Sequence, residues 1–200
     1  MGVLKYLLVI IVGYLLGSLS VSVMLSRGML GSDVRSHGSG NAGATNMARV
    51  YGMRAGVMTL AGDMLKALIA MWFGNLLLGD NGLAAAGLAC IVGHCFPVFH
   101  DFKGGKGISV GAAIGLAIDW RVFLFIVAVF FIAALLTKKV SFGSLCASVS
   151  IIIACLIFHV STPKLILAFF AMLLAIYQHR ANIRRLRDGT EADFKAARNE

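Results

Sequence analysis

The chain has 200 residues, 59% of them hydrophobic and 14% charged, with a mean hydropathy of +0.87 and a formal net charge of +9. Soluble domains carry about 25% charged residues, so this composition excludes a water-soluble enzyme and points to one bundle of membrane helices with no second, soluble domain. The positive excess lies in short loops and in the C-terminal tail, where it bears first on topology and only second on an anionic partner.

Seven apolar segments are legible in chain order, at residues 3–25, 55–78, 83–99, 108–118, 122–137, 140–160 and 165–178. Lys5 followed by an apolar run is compatible with a secretory signal, but the apolar character continues and further segments follow, so the run reads as an uncleaved first helix. Gly79-Asp80-Asn81-Gly82 and Ser161-Thr162-Pro163-Lys164 read as turns, and Asp119-Trp120-Arg121 and Lys138-Lys139 as short breaks. The runs are too long and too unalternating for barrel strands, and backbone in lipid must satisfy its own hydrogen bonds, so the segments are helices. Crossing the hydrocarbon takes about 20 residues. The segments at 83–99 and 108–118 fall short of that and are candidates for a re-entrant pair, which leaves the parity of the bundle unchanged.

With the N-terminus outside, the inside loops and tail hold fourteen Lys and Arg, Arg198 among them, against Lys5, Arg121 and Lys164 outside, with Lys66 left inside a segment. The expected architecture is therefore an all-α integral membrane protein, one transmembrane domain over 1–200. It is a seven-helix bundle with cytoplasmic loops 26–54 and 100–107 and a cytoplasmic C-terminal tail 179–200. Cys90, Cys95, Cys146 and Cys155 sit in apolar runs without metal-type spacing and read as small buried hydrophobes.

The polar residues gather in three stretches on that one side. The first runs from Ser36 to Arg49 and contains Ser39, Asn41, Gly43, Thr45 and Asn46. Its glycines let backbone amides converge on an anion, its hydroxyls and amides are neutral donors, and Arg49 supplies a fork suited to phosphate. The same composition also describes an ordinary flexible loop. The second, Gly93-His94-Cys95-Phe96-Pro97 to Phe102-Lys103-Gly104-Gly105-Lys106-Gly107, places glycines on both sides of Lys106. If Gly107 opens the next helix, a positive helix end is added. It is not a Walker A loop, because Gly107 follows Lys106. His94 and His100 read as satisfied helix-end histidines rather than catalytic ones. The third runs from His179 to Glu191; if it is helical, His179 and Asn182 share a face, and His179 is of a residue type that can titrate near neutrality. Within the second segment, Asp63 and Lys66 form an i, i+3 pair expected to face the bundle. Asp33 and Glu191 are expected to orient arginines. No HxxxxD and no acidic metal-type cluster occurs.

Taken together, the stretches Gly38-Ser39-Gly40-Asn41-x-Gly43-Ala44-Thr45-Asn46 with Arg49, Gly93-His94-x-Phe96-Pro97 with Phe102-Lys103-Gly104-Gly105-Lys106-Gly107, and His179-Arg180-x-Asn182-Ile183-x-Arg185-Leu186 with Gly189-x-Glu191 are similar, over essentially the whole chain, to those of one family. This is the bacterial membrane glycerol-3-phosphate acyltransferase family that uses acyl phosphate as donor. The resemblance implies acyl transfer from acyl phosphate to the 1-hydroxyl of glycerol 3-phosphate, giving lysophosphatidate and phosphate, at the cytoplasmic face of a bacterial inner membrane. It implies no cofactor, no metal, no nucleic acid and no obligate protein partner. On this reading His179, Lys106 and Ser39 are catalytic. Ser39, Arg49, Lys106, His179 and Asn182 hold glycerol 3-phosphate, and Asn41, Gly43, Thr45, Asn46, Gly104 and Gly105 hold acyl phosphate. The hydroxyl proton passes to His179 or to a substrate phosphate oxygen, and the residues do not choose between them. Two other classes remain at this level, an anion transporter, whose mark would be inverted repeats, and a scaffold that binds anionic lipid. An acyltransferase using another acyl donor is the nearer alternative.

Overall fold

The structure, a computed structural model, describes residues 2–197, so Arg198 and the last two positions of the tail lie outside it. Every regular element among the described residues is helical. In chain order these are α1 (Gly2–Ser18), α2 (Val21–Leu30), α3 (Ala44–Tyr51), α4 (Met53–Cys95), α5 (Ile108–Ile118), α6 (Trp120–Thr137), α7 (Val140–Ile157), α8 (Thr162–Gln178) and α9 (Arg180–Arg187). Short 3-10 turns occur at Val34–Ser36 and Val98–His100. Four helical stretches are long and apolar enough to cross a membrane, Gly2–Gly28, Met53–His100, Trp120–Thr137 and Val140–Ile157. A fifth is added if α8 and α9, bent by 59° at His179, count as one.

The second and third apolar segments are the two arms of α4. The predicted turn is a single residue, Gly79, whose φ of 59° and ψ of −146° reverse the chain. Only a residue without Cβ takes that conformation cheaply. The arms then pack so closely that a Cβ on Gly74 would meet the Gly82 carbonyl. The second arm lies against α1, in parallel: Gly13 faces Ala86, and Gly17 faces Cys90. Small residues at four-residue spacing let helix backbones touch in lipid, where no hydrophobic force drives helices together.

The first segment, expected as one helix, is broken after Ser18. The break leaves carbonyls without intrahelical partners at membrane depth. The ammonium of Lys66, on the first arm of α4, takes two of them, donating to Gly17 O at 3.0 Å and Leu19 O at 2.5 Å. It also lies 2.8 Å from Asp63 Oδ1, so the i, i+3 pair faces the bundle as expected. That contact is an ion pair, and Oδ1 accepts no hydrogen bond among the described residues.

The outside of the bundle is apolar. Leu135 and Leu136 are 75% and 80% exposed, and Phe131 and Ile132 of the same helix α6 are exposed with them. So large an apolar surface is stable only in lipid. The polar contacts divide between the two ends. At one, Asp80 pairs with Lys164 at 3.1 Å and accepts from Ser161, and Arg121 stacks on Phe158. At the other lie α3, the 96–107 loop, the 138–139 turn and the C-terminal tail, joined by the donation from Arg35 Nη1 to His100 O at 2.8 Å and by the pair Lys139–Asp193 at 3.1 Å.

Gly17 is predicted to be intolerant of size, because a side chain there meets Cys90 backbone, whereas a Cβ on Gly28 meets open space. Gly17→Leu should lower stability by about 1–3 kcal/mol or more, read as a lower melting temperature in detergent. Gly28→Ala should leave the melting temperature unchanged or slightly raised.

Candidate active site

A cavity of about 990 Å³ opens at the end of the bundle where the three polar stretches meet. Ser39, Asn41, Gly43, Thr45, Asn46 and Arg49 from the first stretch, His94, Lys106 and Gly107 from the second, and His179, Asn182, Arg185 and Glu191 from the third all line it. Its other wall is apolar, built by Leu60 and Met64 of α4, Phe123, Ile126 and Phe130 of α6 and Ile151 of α7. Polar and apolar halves thus share one space.

The first stretch is not a plain loop. It folds into α3, which carries Thr45, Asn46 and Arg49, a helix the Gly/Ser/Asn composition concealed. Gly43 caps it in extended backbone, and the amides of Asn46 and Met47 both return to Gly43 O. The first amides of α3, from Ala44 and Thr45, are left facing the cavity wall. Asn46 is 1% exposed and holds the loop in place: its Oδ1 accepts from the Ser39 amide at 2.9 Å, and its Nδ2 donates to Val34 O and His37 O. Ser39 is thereby fixed at the rim with its hydroxyl free of protein partners among the described residues. Asp33 orients arginines as expected. Burial works against its charge, but hydrogen bonds from Arg35 and Arg27 prevail, and the carboxyl is held down at about 2.

Gly107 opens α5 with a φ of 81°, so a second helix N-terminus faces the same cavity through Ile108 and Ser109. Two positive helix ends at one cavity suit two anionic groups. Gly104 and Gly105 stand behind the wall. Their amides already donate to Cys95 O at 3.2 Å and His94 O at 3.1 Å, tying the loop to the end of α4. Neither tolerates a Cβ, since Gly104 abuts backbone carbonyls and Gly105 abuts the His94 ring.

The third stretch is helical beyond its first residue. His179 sits at the bend between α8 and α9, 3% exposed, and Nδ1 meets Ala175 O at 2.7 Å. A carbonyl accepts only, so Nδ1 carries the proton and Nε2 is the free basic atom. Burial, opposed by that carbonyl and reinforced by the charge of Lys106, lowers its pKa to about 4, so the ring is neutral at pH 7. Lys106 donates to Asn182 Oδ1 at 2.5 Å, and Asn182 Nδ2 donates to Glu191 Oε1 at 2.7 Å. Glu191 further accepts from Ser141 at 2.6 Å and from Arg185 Nε at 2.6 Å. Burial resists its charge, but these three donors hold its carboxyl below the usual range. It orients Arg185 as expected. Its part in fixing Asn182, and through it Lys106, which lies 76 residues from Asn182, depends on a distant contact that sequence spacing does not show. Burial first, then the neighbouring Arg185 and Arg49, pull the Lys106 ammonium down to about 8.

A family model described as glycerol-3-phosphate acyltransferase matches residues 7–189. The chain is 40% identical over 182 residues to the glycerol-3-phosphate acyltransferase of Thermoanaerobacter pseudethanolicus, covering 91% of this chain and 92% of that one. It is 39% identical over 188 residues to that of Bacillus subtilis, covering 94% and 97%. Its structure resembles the crystal structure of PlsY (YgiH), an integral membrane glycerol 3-phosphate acyltransferase, in the glycerol 3-phosphate form. The TM-score is 0.89, at 35% identity over 95% of this chain and 96% of that one. The lysophosphatidic acid form gives a TM-score of 0.87 at 33% identity, covering 95% of each chain. The chain belongs to the glycerol-3-phosphate acyltransferase family.

The depressed Lys106 gives a pH prediction. A lysine titrating near 8 is charged below that pH and neutral above it, so its hold on a phosphate weakens as pH rises through about 8. The kcat/KM for glycerol 3-phosphate should fall over that interval. In Lys106→Arg, whose guanidinium stays charged, any activity retained should lose that alkaline limb. A wild-type profile flat from pH 7 to 10 contradicts the assignment.

Proposed function

We propose that this member of the glycerol-3-phosphate acyltransferase family takes its acyl group from an acyl phosphate and transfers it directly to the 1-hydroxyl of glycerol 3-phosphate, without a covalent acyl-enzyme and without a metal. The observation that carries the reading is the divided cavity. Two helix N-termini and three cations, Arg49, Lys106 and Arg185, surround its polar half, and α6 and α7 build an apolar half at membrane depth. Two phosphate-bearing substrates, one with a long acyl chain, match that division.

In this reading glycerol 3-phosphate lies against Ser39, Arg49, Lys106, His179 and Asn182. The phosphate of the donor lies at Asn41, Gly43 and Thr45, where the α3 amides open, with Asn46 holding that loop and Gly105 packed behind it against the Ala42 carbonyl. The 1-hydroxyl oxygen attacks the acyl carbonyl carbon, the bond from that carbon to the phosphate oxygen breaks, and the hydroxyl proton goes to His179 Nε2 or to the departing phosphate. An acyl phosphate is a mixed anhydride with a good leaving group, so positioning and charge stabilisation suffice. Ser39, Lys106 and His179 are the residues assigned to the reacting atoms. The chain is further assigned to the bacterial inner membrane, with seven membrane segments, the N-terminus outside and the site facing the cytoplasm. The excess of Lys and Arg on the loops at the cavity end supports that orientation.

The test is an acyltransferase assay on the purified chain with palmitoyl phosphate or palmitoyl-CoA as donor, following phosphate and lysophosphatidate. Product from the phosphate alone is expected; product from the thioester alone overturns the donor. In the same assay Arg49→Lys should raise KM for glycerol 3-phosphate about tenfold, since a point charge replaces a fork, and an unchanged KM removes Arg49 from that site. His179→Gln should cut kcat by about 10²-fold if Nε2 takes the proton. Unchanged turnover at saturating substrate assigns the proton to phosphate.

A further inference from the structure

The ring of His94 is 5% exposed at the end of α4, and it lines the cavity. Its Nδ1 lies 3.2 Å from Lys66 Nζ. An ammonium donates and never accepts, so Nδ1 is the accepting nitrogen of a neutral ring and the ring proton is on Nε2. Charge balance within the cluster agrees. Asp63 and Lys66 neutralise each other at 2.8 Å, and an imidazolium beside them would leave one uncompensated charge buried in an apolar bundle. Asp63 Oδ1 stands 3.6 Å from Nδ1, too far to draw the proton back. Nε2 has no hydrogen-bond partner among the described residues and lies against the Cα of Gly105. The amides of Gly104 and Gly105 are engaged by the Cys95 and His94 carbonyls, and Lys106 is engaged by Asn182. The Nε2–H of His94 is therefore a neutral donor of this wall without a partner among the described residues, alongside the α5 amides that face the cavity through Ile108 and Ser109.

We propose that His94 is a further binding residue of the site, its Nε2–H donating to an oxygen of the acyl donor, phosphoryl or carbonyl, and that Lys66 is the positioning residue that fixes its tautomer. The identity of the ligand oxygen rests on the donor reading above.

The experiment compares wild type, His94→Phe, His94→Gln and His94→Asn in detergent, with melting temperature recorded for each, varying palmitoyl phosphate and glycerol 3-phosphate in turn. Phe keeps the ring and removes the donor. Gln reaches the Nε2 position with an amide N–H, and Asn ends near Nδ1. His94→Phe should lower kcat/KM for the acyl donor by about 10²-fold, and His94→Gln should restore it to within about tenfold of wild type. KM for glycerol 3-phosphate should stay within about threefold throughout. A rise in KM for the donor places Nε2–H on the phosphoryl oxygen, and a fall in kcat alone places it on the carbonyl. If the Phe variant does not fold, the comparison is Asn, expected to resemble Phe in activity, against Gln. Equal activity of Gln and the donorless variants overturns the proposal, as does a rise in the glycerol 3-phosphate KM matching the loss. If wild type turns over only a different acyl donor, the acyl-phosphate reading fails, and the same four proteins assayed with that donor still decide the role of His94.

Discussion

At membrane depth, a carbonyl freed from its helix must find a donor inside the protein, and the Lys66 ammonium meets that constraint here. The break after Ser18 leaves carbonyls without helical partners in a medium that offers no water to satisfy them. One cation on α4 takes two of them, at Gly17 and Leu19, and its charge is met by Asp63 one turn away. Removing the cation would strand the carbonyls and a buried carboxylate together, a larger cost than any exposed ion pair in the chain represents. With Lys66 in place the chain can leave α1 early and re-enter as α2, which delivers the first polar stretch to the mouth of the cavity.

The same cluster reaches the second polar stretch, since Lys66 also meets His94 on the second arm of α4. The carbonyls at the end of that arm hold the amides of Gly104 and Gly105. The packing tolerates no side chain at either glycine because helix-end backbone and the His94 ring already occupy the space. The third stretch is joined to the second by Lys106, Asn182 and Glu191, and to α7 by Ser141. Lys106 and Arg185 are therefore placed by one neutral amide and one carboxylate. Burial, and then the neighbouring Arg185 and Arg49, lower the pKa of that lysine.

Much of this was legible in the residues. Long apolar runs can only be helices, Gly79 to Gly82 marks a reversal, Gly107 opens a helix, and an intramembrane Asp63–Lys66 spacing of three predicts a pair facing inward. The three polar stretches were legible as one site through their resemblance to a single family. What the sequence concealed depends on partners distant along the chain. The break after Ser18 falls where serines interrupt the apolar run, and it is stabilised by a residue 47 positions away. The helix α3 is hidden because Gly, Ser, Thr and Asn also describe a loop. Asn46 reads as a donor for ligand, yet all its donor capacity goes to Val34 and His37. His94 reads as a satisfied helix-end histidine, and only one of its nitrogens is satisfied.

Under the acyl-phosphate reading proposed above, the division of the cavity bears on how transfer proceeds without a strong nucleophile. An apolar half raises the strength of every electrostatic contact in the polar half beside it. A donor that carries its own leaving group asks the protein only to bring a hydroxyl and a carbonyl together and to stabilise the charge that moves onto phosphate. Arg49, Lys106 and Arg185 share the polar half with the uncharged amides that open α3 and α5. The buried Lys66 neutralises Asp63 and stands behind His94, which lines the cavity while Lys66 does not.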